Sequence, residues 1–189
     1  MSKIKKIIAR EILDSRGKPT LEAIVELENG SVGVFSCPSG ASIGKSEAHE
    51  LRDNDPERYA GLGVLKNLEK IAQILAPKLI GLDAQDQKGI DELMKKLDDS
   101  QNLENLGANT ILSLSGAIAK AQASSLKIPL YHYIAQLLGT QTNQYAIPTP
   151  MFNILNGGVH ANMNLDFQEF MVIPAKANTY TKSLKIGVE

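Results

Sequence analysis

The 189-residue chain lacks several features that would mark common classes of protein. It has no tryptophan and few aromatic residues, so it offers few platforms on which single-stranded nucleic acid could stack. Its formal net charge of −1 argues against a broad basic surface for nucleic acid. No apolar run is long enough for a transmembrane helix. These absences favour a globular protein without a transmembrane segment, whose expected partners do not include nucleic acid.

Cysteine occurs once, at Cys37, which rules out an internal disulfide and is typical of a reducing cytoplasm. We expect Cys37 to be a small buried residue at the end of a strand. The N-terminal residues 1–6 are followed by alternation and not by an unbroken apolar stretch, so we do not expect them to form a signal peptide. These features predict a cytoplasmic location.

The segment 38–46 is rich in small residues and nearly spells a nucleotide-binding P-loop. That motif needs four residues between its first glycine and the Gly-Lys-Ser/Thr triplet, but only three separate Gly40 from Gly44. A ring of backbone donors that is one residue short cannot surround the same phosphate. The segment is therefore interpreted as a loop that binds a charged ligand in another way.

Residues 4–37 show the pattern of three strands. Apolar and polar residues alternate from Leu21 to Leu27, as in a half-buried strand. Asn29-Gly30 lies between two apolar runs and predicts a hairpin with a type I′ turn. The sequence therefore predicts a three-stranded antiparallel meander.

Helical periodicity follows. Asp55-Pro56 predicts a helix start, with Asp55 as the N-cap and Pro56 in the first turn. The apolar stripe over 64–75 predicts a helix that Pro77 ends.

Three further helices are expected in this part of the chain. The stripe over 90–97 predicts a helix that Asp83 could cap. Residues 107–126 are mostly small, which predicts a helix packed closely on several sides. A short helix is expected over 130–138.

The polar segment 140–144 marks a change of pattern and predicts the division of the chain into domains 1–139 and 140–189. Beyond it, mostly apolar runs over 147–155 and 167–173 predict strands that are buried on both faces. Residues 180–188 begin another helical pattern. Two strands and a helix do not form a closed unit, so we expect a missing layer that covers the strands.

Polar side chains interrupt these apolar runs at two places. His160 follows Gly157-Gly158 after the first strand, and Gln168-Glu169 begins the second. Each has a simpler interpretation, because a loop histidine often faces solvent and a carboxylate at a strand end often binds only backbone amides. Their occurrence with the glycine loop favours a functional site.

Six ordered motifs together resemble the enolase family, and the resemblance runs in register through the whole chain. They are Asp14-Ser15-Arg16-Gly17, Pro38-Ser39-Gly40-Ala41-Ser42, Glu50-Leu51-Arg52-Asp53, Leu106-Gly107-Ala108-Asn109, Asn156-Gly157-Gly158 with His160-Ala161, and Gln168-Glu169-Phe170-Met171.

The resemblance implies an α+β N-terminal domain, followed by an eight-stranded β/α barrel whose first two strands are antiparallel. It also implies the reversible dehydration of 2-phosphoglycerate to phosphoenolpyruvate with two Mg²⁺ ions. A proton on the carbon next to a carboxylate is barely acidic unless metal ions stabilise the negative charge that its removal creates.

The resemblance carries roles to five residues of this sequence. Ser42 matches the loop serine that ligates the second Mg²⁺, and Ala41 matches a neighbouring backbone contact to substrate. Hydroxyl and carbonyl oxygens suit Mg²⁺, which prefers hard ligands. His160 matches the histidine near the phosphate and hydroxyl end of the substrate. Gln168 and Glu169 match the pair that binds substrate and supports the acid side of the reaction.

The resemblance implies less about several other positions. Arg10 and Glu22 match positions at the dimer contact of the family, although a surface ion pair of little energy explains them equally well. Ile43 stands where the family pattern has Thr, which removes a hydroxyl from the loop. His49 and His132, each on a predicted helix, match no site residue and are interpreted as structural.

In the family, several residues of the site come from later barrel strands. They are the catalytic lysine, the principal acid glutamate, the three carboxylates for the first Mg²⁺ and the phosphate-binding arginine. We therefore expect the parent protein to be a cytoplasmic, dimeric or higher oligomeric enolase, with a possible cell-surface or secreted pool, and the 189 residues alone to be inactive. The alternative is a non-catalytic dimerisation or surface-binding module. A racemase or cycloisomerase of the same superfamily fits less well, because those relatives are not expected to combine the Ser42 loop with Gln168-Glu169-Phe170.

Overall fold

The computed structural model describes residues 2–40, 44, 46–140, 142, 144–158 and 165–189. The chain forms two compact units, residues 1–141 and 142–189, and each is described by itself.

The first unit is built on a three-stranded antiparallel sheet. Its strands are β1 (Ile4–Leu13), β2 (Pro19–Leu27) and β3 (Val32–Ser36), with β2 in the centre. Leu21, Ala23, Val25 and Leu27 of β2 are fully buried, while the residues between them are only partly covered. The predicted meander and its alternation are confirmed.

The turn between β2 and β3 differs from the predicted type I′ turn. The Gly30 amide donates to the Leu27 carbonyl at 2.9 Å, and the Leu27 amide donates to the Ser31 carbonyl at 2.8 Å. Among the described residues of this turn only Gly30 has a positive φ, 84°. This is the pattern of a three-residue loop with a bulge, in which glycine at the last position satisfies the left-handed conformation.

The predicted helix start at Asp55-Pro56 is wrong. The Asp55 side chain accepts the Glu57 amide at 3.0 Å and forms a local turn, and α1 (Leu65–Lys70) begins ten residues later. Its first amides are bound by another carboxylate, since Asp53 accepts the amides of Leu65 and Lys66, each at 2.9 Å.

Pro77 does not end the helical segment. A π-helical turn (Ile71–Leu75) follows α1, and α2 (Ala76–Leu79) continues through the proline. A proline in a helix lacks an amide proton and crowds the carbonyl four residues earlier. The Ala76 amide donates to the Ile71 carbonyl, five residues earlier, so the helical segment widens to a π turn immediately before Pro77 and continues to Leu79.

The remaining helices of this unit are α3 (Gln87–Asp98), α4 (Ala108–Leu126) and α5 (Leu130–Leu137). The predicted cap of α3 is corrected from Asp83 to Asp86, whose side chain accepts the Gly89 amide at 3.0 Å. Asp83 instead accepts the Gln85 amide within the preceding turn.

Helix α4 packs closely on the sheet, which explains its small residues. A Cβ at Gly33 of β3 would lie 2.1 Å from the Ala117 carbonyl oxygen and 2.3 Å from the Ala121 amide nitrogen. A Cβ at Gly116 would lie 2.5 Å from the Phe35 ring. The core forms between this helix, the sheet and the helices before it.

The second unit contains β4 (Phe152–Asn156), β5 (Glu169–Val172) and α6 (Tyr180–Val188). The two strands pair antiparallel, as the family resemblance implied. The prediction that they are buried on both faces is wrong for this chain, because every residue of both strands is exposed except the partly covered Phe152. The strands pair only with each other among the described residues. None of the described helices combines the length and the apolarity needed to cross a membrane.

Candidate functional site

The predicted site residues fall on both units, and three of them, Ala41, Ser42 and His160, lie outside the described residues. Gln168 and Glu169 are described and belong to the second unit. The described residues that flank Ala41 and Ser42 belong to the first unit, and the hairpin that carries Gln168 and Glu169 belongs to the second.

On the N-terminal side of Ala41, the Glu50 carboxylate binds the end of the segment that leaves β3. Its Oε1 accepts the Gly40 amide at 3.0 Å, and its Oε2 accepts the Ser39 hydroxyl at 3.4 Å. The Glu50 side chain therefore joins two of the sequence motifs, those around residues 40 and 50.

A second carboxylate binds the backbone just after residues 41–43. The Gly44 amide donates to Glu47 Oε2 at 2.8 Å, and the Glu47 amide donates to the Gly44 carbonyl at 3.2 Å. The described amides on both sides of residues 41–43 are therefore each bound to a carboxylate. The antiparallel strand before this segment also agrees with the exclusion of a P-loop.

The segment that carries Glu50 is anchored to the first turn of α4. The Leu51 amide donates to Asn109 Oδ1, and Asn109 Nδ2 donates to the Leu51 carbonyl, each at 3.1 Å. Asn67, buried on α1, donates to Asn109 Oδ1 and to the Thr110 hydroxyl. His49 lies on this non-helical segment, which corrects its predicted position on a helix.

These residues surround a cavity of about 720 Å³. Its lining includes Cys37, Ser39, Glu50, Arg52 and Asn109. Cys37 is buried as predicted, and burial raises the pKa of its thiol to about 11. The thiol therefore stays protonated at neutral pH and does not act as a nucleophile there.

In the second unit, glycine permits a tight approach of the hairpin strands. A Cβ at Gly157 would lie 2.0 Å from the Phe167 carbonyl oxygen, so no other residue fits without a shift. Gly158 has a φ of 62°, and its amide donates to the Leu165 carbonyl at 2.9 Å. Glu169 stands opposite Asn156 at the start of β5 and is exposed.

Arg10 and Glu22 lie opposite each other on β1 and β2 and form an ion pair at 2.5 Å within the chain. The Ser36 hydroxyl also donates to Glu22, at 2.8 Å, and the hydrogen bonds from Ser36 and Arg10 lower the pKa of Glu22. Arg10 and Glu22 therefore both have binding partners within the chain.

The described residues do not fit a complete magnesium site. Among them, no group of three or more His, Cys, Asp or Glu side chains lies close enough together to hold a metal ion. The one metal ligand expected from this chain, Ser42, lies outside the described residues.

Sequence reasoning missed the roles of Glu50, Arg52 and Asn109, although it quoted the motifs that contain them. One signal was present. Asn109 is a buried polar residue in the first turn of a helix rich in small residues, where an amide side chain needs a partner. The residues that this amide binds, Leu51 and Asn67, are 58 and 42 positions away, and no local pattern identifies them.

The comparisons with known proteins cover both units. Residues 4–134 match the family model described as the enolase N-terminal domain, and residues 144–189 match that of the enolase C-terminal TIM barrel domain. A curated relative named enolase, from Anaplasma phagocytophilum (strain HZ), is 48% identical over all 189 residues. The chain spans 43% of the length of that relative.

Proposed function

The chain belongs to the enolase family, and from that premise we propose that it is the N-terminal part of an enzyme that interconverts 2-phosphoglycerate and phosphoenolpyruvate. The observation that carries the proposal is the succession of two family matches, to the N-terminal domain and then to the start of the barrel domain. This order excludes a chain that shares only one module with the family.

The cofactor of the proposed reaction is Mg²⁺. Bound to the substrate, Mg²⁺ would supply positive charge that stabilises the enediolate formed by proton removal. From this chain, Ser42 would offer oxygen ligands of the kind that Mg²⁺ prefers. The Glu50 and Glu47 carboxylates accept the amides of Gly40 and Gly44, the described residues on either side of 41–43.

Residues of both units are proposed to contact the substrate. Ala41 would contribute its backbone, His160 would make a charge-assisted hydrogen bond to the phosphate, and Gln168 with Glu169 would bind substrate and support the acid side of the reaction. The exposed position of Glu169 at the start of β5 supports this role, since its carboxylate is open to a ligand in this chain.

The proposal also includes a homodimer or higher homo-oligomer and a cytoplasmic location, with a secondary cell-surface or secreted pool. The domain division is proposed after residue 139. The 189 residues by themselves are proposed to be inactive. They span 43% of the length of the relative, and the lysine base expected from the family is not among the site residues assigned to this chain.

An absorbance assay for phosphoenolpyruvate tests these proposals. We expect the longer protein to convert 2-phosphoglycerate with Mg²⁺ and to lose activity when a chelator removes the metal, while the 189-residue chain shows no turnover. A longer protein that leaves 2-phosphoglycerate unchanged would contradict the proposed reaction. Turnover by the 189-residue chain would contradict its proposed inactivity.

A further inference from the structure

Strand β3 lies at an edge of its sheet, with β2 as its one neighbour among the described strands. The Cys37 amide donates to the Leu21 carbonyl at 2.7 Å, which continues the ladder between β2 and β3. In an antiparallel ladder only alternate residues exchange hydrogen bonds with the neighbouring strand. The backbone groups of the odd-numbered residues of β3 therefore face β2, and the amides and carbonyls of Val32, Val34 and Ser36 point away from it.

This free edge of β3 is suited to pair with a second copy of itself. Val32 is 47% exposed and Val34 is 39% exposed, and β-branched residues on an open edge favour the addition of another strand. Val34 is the middle residue of β3, so two copies paired antiparallel about it would place Val34 opposite Val34 and Val32 opposite Ser36. Each Val34 amide would then donate to the carbonyl of the same residue in the other copy.

One side chain of α4 already binds that carbonyl. Lys120 Nζ donates to the Val34 carbonyl at 2.9 Å and lies 5.4 Å from the centroid of the Phe35 ring. The close approach of α4 to Gly33 brings the lysine within reach of the edge. Lys120 is exposed, so its ammonium stays in contact with water while it binds the strand. The acceptor at the centre of the free edge is therefore occupied within the chain.

We propose that Lys120 closes the free edge of β3 and prevents it from pairing with β3 of a second copy. A partner strand would have to displace the ammonium from the Val34 carbonyl. The two-fold arrangement would also bring the Lys120 side chains of both copies to the same central pair, where like charges repel. Lysine is a common protection of open sheet edges. The inference goes beyond the proposed reaction and does not depend on it.

The variant Lys120→Met tests the proposal in the 189-residue chain. Methionine keeps an unbranched side chain but has neither the charge nor the hydrogen-bond donor. We expect the dissociation constant of self-association, measured by sedimentation equilibrium, to fall by about tenfold relative to the wild type. Lys120→Arg keeps a charged donor and should associate no more strongly than the wild type.

The matched control is Lys88→Met on α3. Lys88 is exposed, and its side chain makes no hydrogen bond or ion pair within the described part of the chain. The substitution removes the same charge, so the dissociation constant should stay within about twofold of the wild-type value. An equal effect of Lys88→Met and Lys120→Met would overturn the proposal, because net charge and not the edge of β3 would then control association.

Amide hydrogen exchange of Val34 shows where the copies meet. This amide points away from β2, so it should exchange rapidly in a monomer. In Lys120→Met we expect its exchange to slow by about tenfold between dilute and concentrated samples, because the partner strand supplies an acceptor. The wild-type chain should show no such dependence on concentration.

Several results would overturn the proposal. Unchanged self-association of Lys120→Met would do so, and so would stronger association of Lys120→Arg. Association of Lys120→Met without protection of the Val34 amide would place the contact on another surface. Protection of Val34 in the concentrated wild type would mean that Lys120 leaves the edge open. Association that parallels a loss of the folded circular dichroism signal would assign the effect to unfolded chains.

Discussion

The two units use similar apolar strands with opposite results. In the first unit, the apolar face of β2 is fully buried, and its residues Ala23, Val25 and Leu27 share a core with α4, where residues such as Leu114 have no exposed surface. In the second, Ile154 on β4 is 60% exposed and Phe167 before β5 is 73% exposed. The comparison shows that a strand pattern specifies a strand, while burial requires a second layer packed against it.

The polar groups of the two units differ in the same way. In the first unit, the Arg58 guanidinium binds Glu11 and Asp53, and the Glu11 carboxylate also accepts the Val64 amide at 2.9 Å. In the second unit, Glu169 makes no side-chain hydrogen bond or ion pair among the described residues. Polar groups that support a fold are bound within it, whereas a group proposed to bind a ligand stands open.

Gly33→Ala should produce the largest difference between the units. The added methyl group would meet backbone atoms of α4 at 2.1 and 2.3 Å, and backbone cannot rotate away. We expect the free energy of unfolding of the first unit to fall by about 4 kcal/mol or more, measured by urea denaturation.

Gly187→Ala is the matched control in the second unit. Its Cβ would lie 2.4 Å from the ring of Phe152, a partly exposed side chain that can turn aside. Its cost should stay within about 1 kcal/mol. Equal costs for the two alanines would show that the close approach of α4 to β3 has no special importance.

Removal of a large apolar side chain should have the next largest effect. Leu114→Ala leaves a cavity in the core and should cost about 3 kcal/mol of unfolding free energy. Phe167→Ala should change it by less than about 0.5 kcal/mol, because the ring is already mostly in water. A large loss from Phe167→Ala would mean that the second unit is covered in solution.

Glu11 makes the first unit sensitive to acid. Its hydrogen bond to Arg58, more than any other contact, lowers the pKa of Glu11 below its ordinary value of 4.5. The stabilisation is complete above the pKa of the unfolded chain and is lost as the pH falls through the lower pKa of the folded form. We therefore expect the unfolding free energy to decrease below about pH 4.5.

The variant Glu11→Gln should cost about 2 kcal/mol at neutral pH and should reduce the dependence of stability on acid pH. Glu92→Gln, which removes an exposed ion pair with Lys95, should cost less than about 0.5 kcal/mol. The measurement is chemical denaturation at a series of pH values. An unchanged pH dependence in Glu11→Gln would assign the acid sensitivity to other carboxylates.

Truncation after residue 139 should have the smallest effect on stability and a visible one on association. We expect the unfolding free energy of the first unit to change by less than about 0.5 kcal/mol. Light scattering should decrease, because the exposed apolar residues of the second unit are removed. Equal scattering by residues 1–139 and 1–189 would count against this division of the chain.

Most elements of the fold could be predicted, because their signals are local. Alternation identified β2, and small or apolar periodicity identified α4, α5 and α6. One error came where two local partners were equally plausible. Asp83 and Asp86 both precede α3, and only the position of the Gly89 amide decides between them.

The residues of the candidate site could be predicted only from the motifs of the family. The hydrogen bonds that hold the surrounding backbone could not be predicted. Glu50, Arg52 and Asn109 are polar residues whose partners lie up to 58 positions away. Nothing in the spacing of such residues states which backbone groups they will meet.

The amino-acid sequence alone therefore determined the strands, most of the helices and the family, because these depend on periodicity and on ordered motifs. The tertiary structure alone decided that α4 lies in contact with Gly33 and that the Gly40 amide donates to the Glu50 carboxylate. The physical reason is that helices and strands follow from neighbours in the chain, whereas close packing and hydrogen bonds between distant residues exist only once the chain has brought them together.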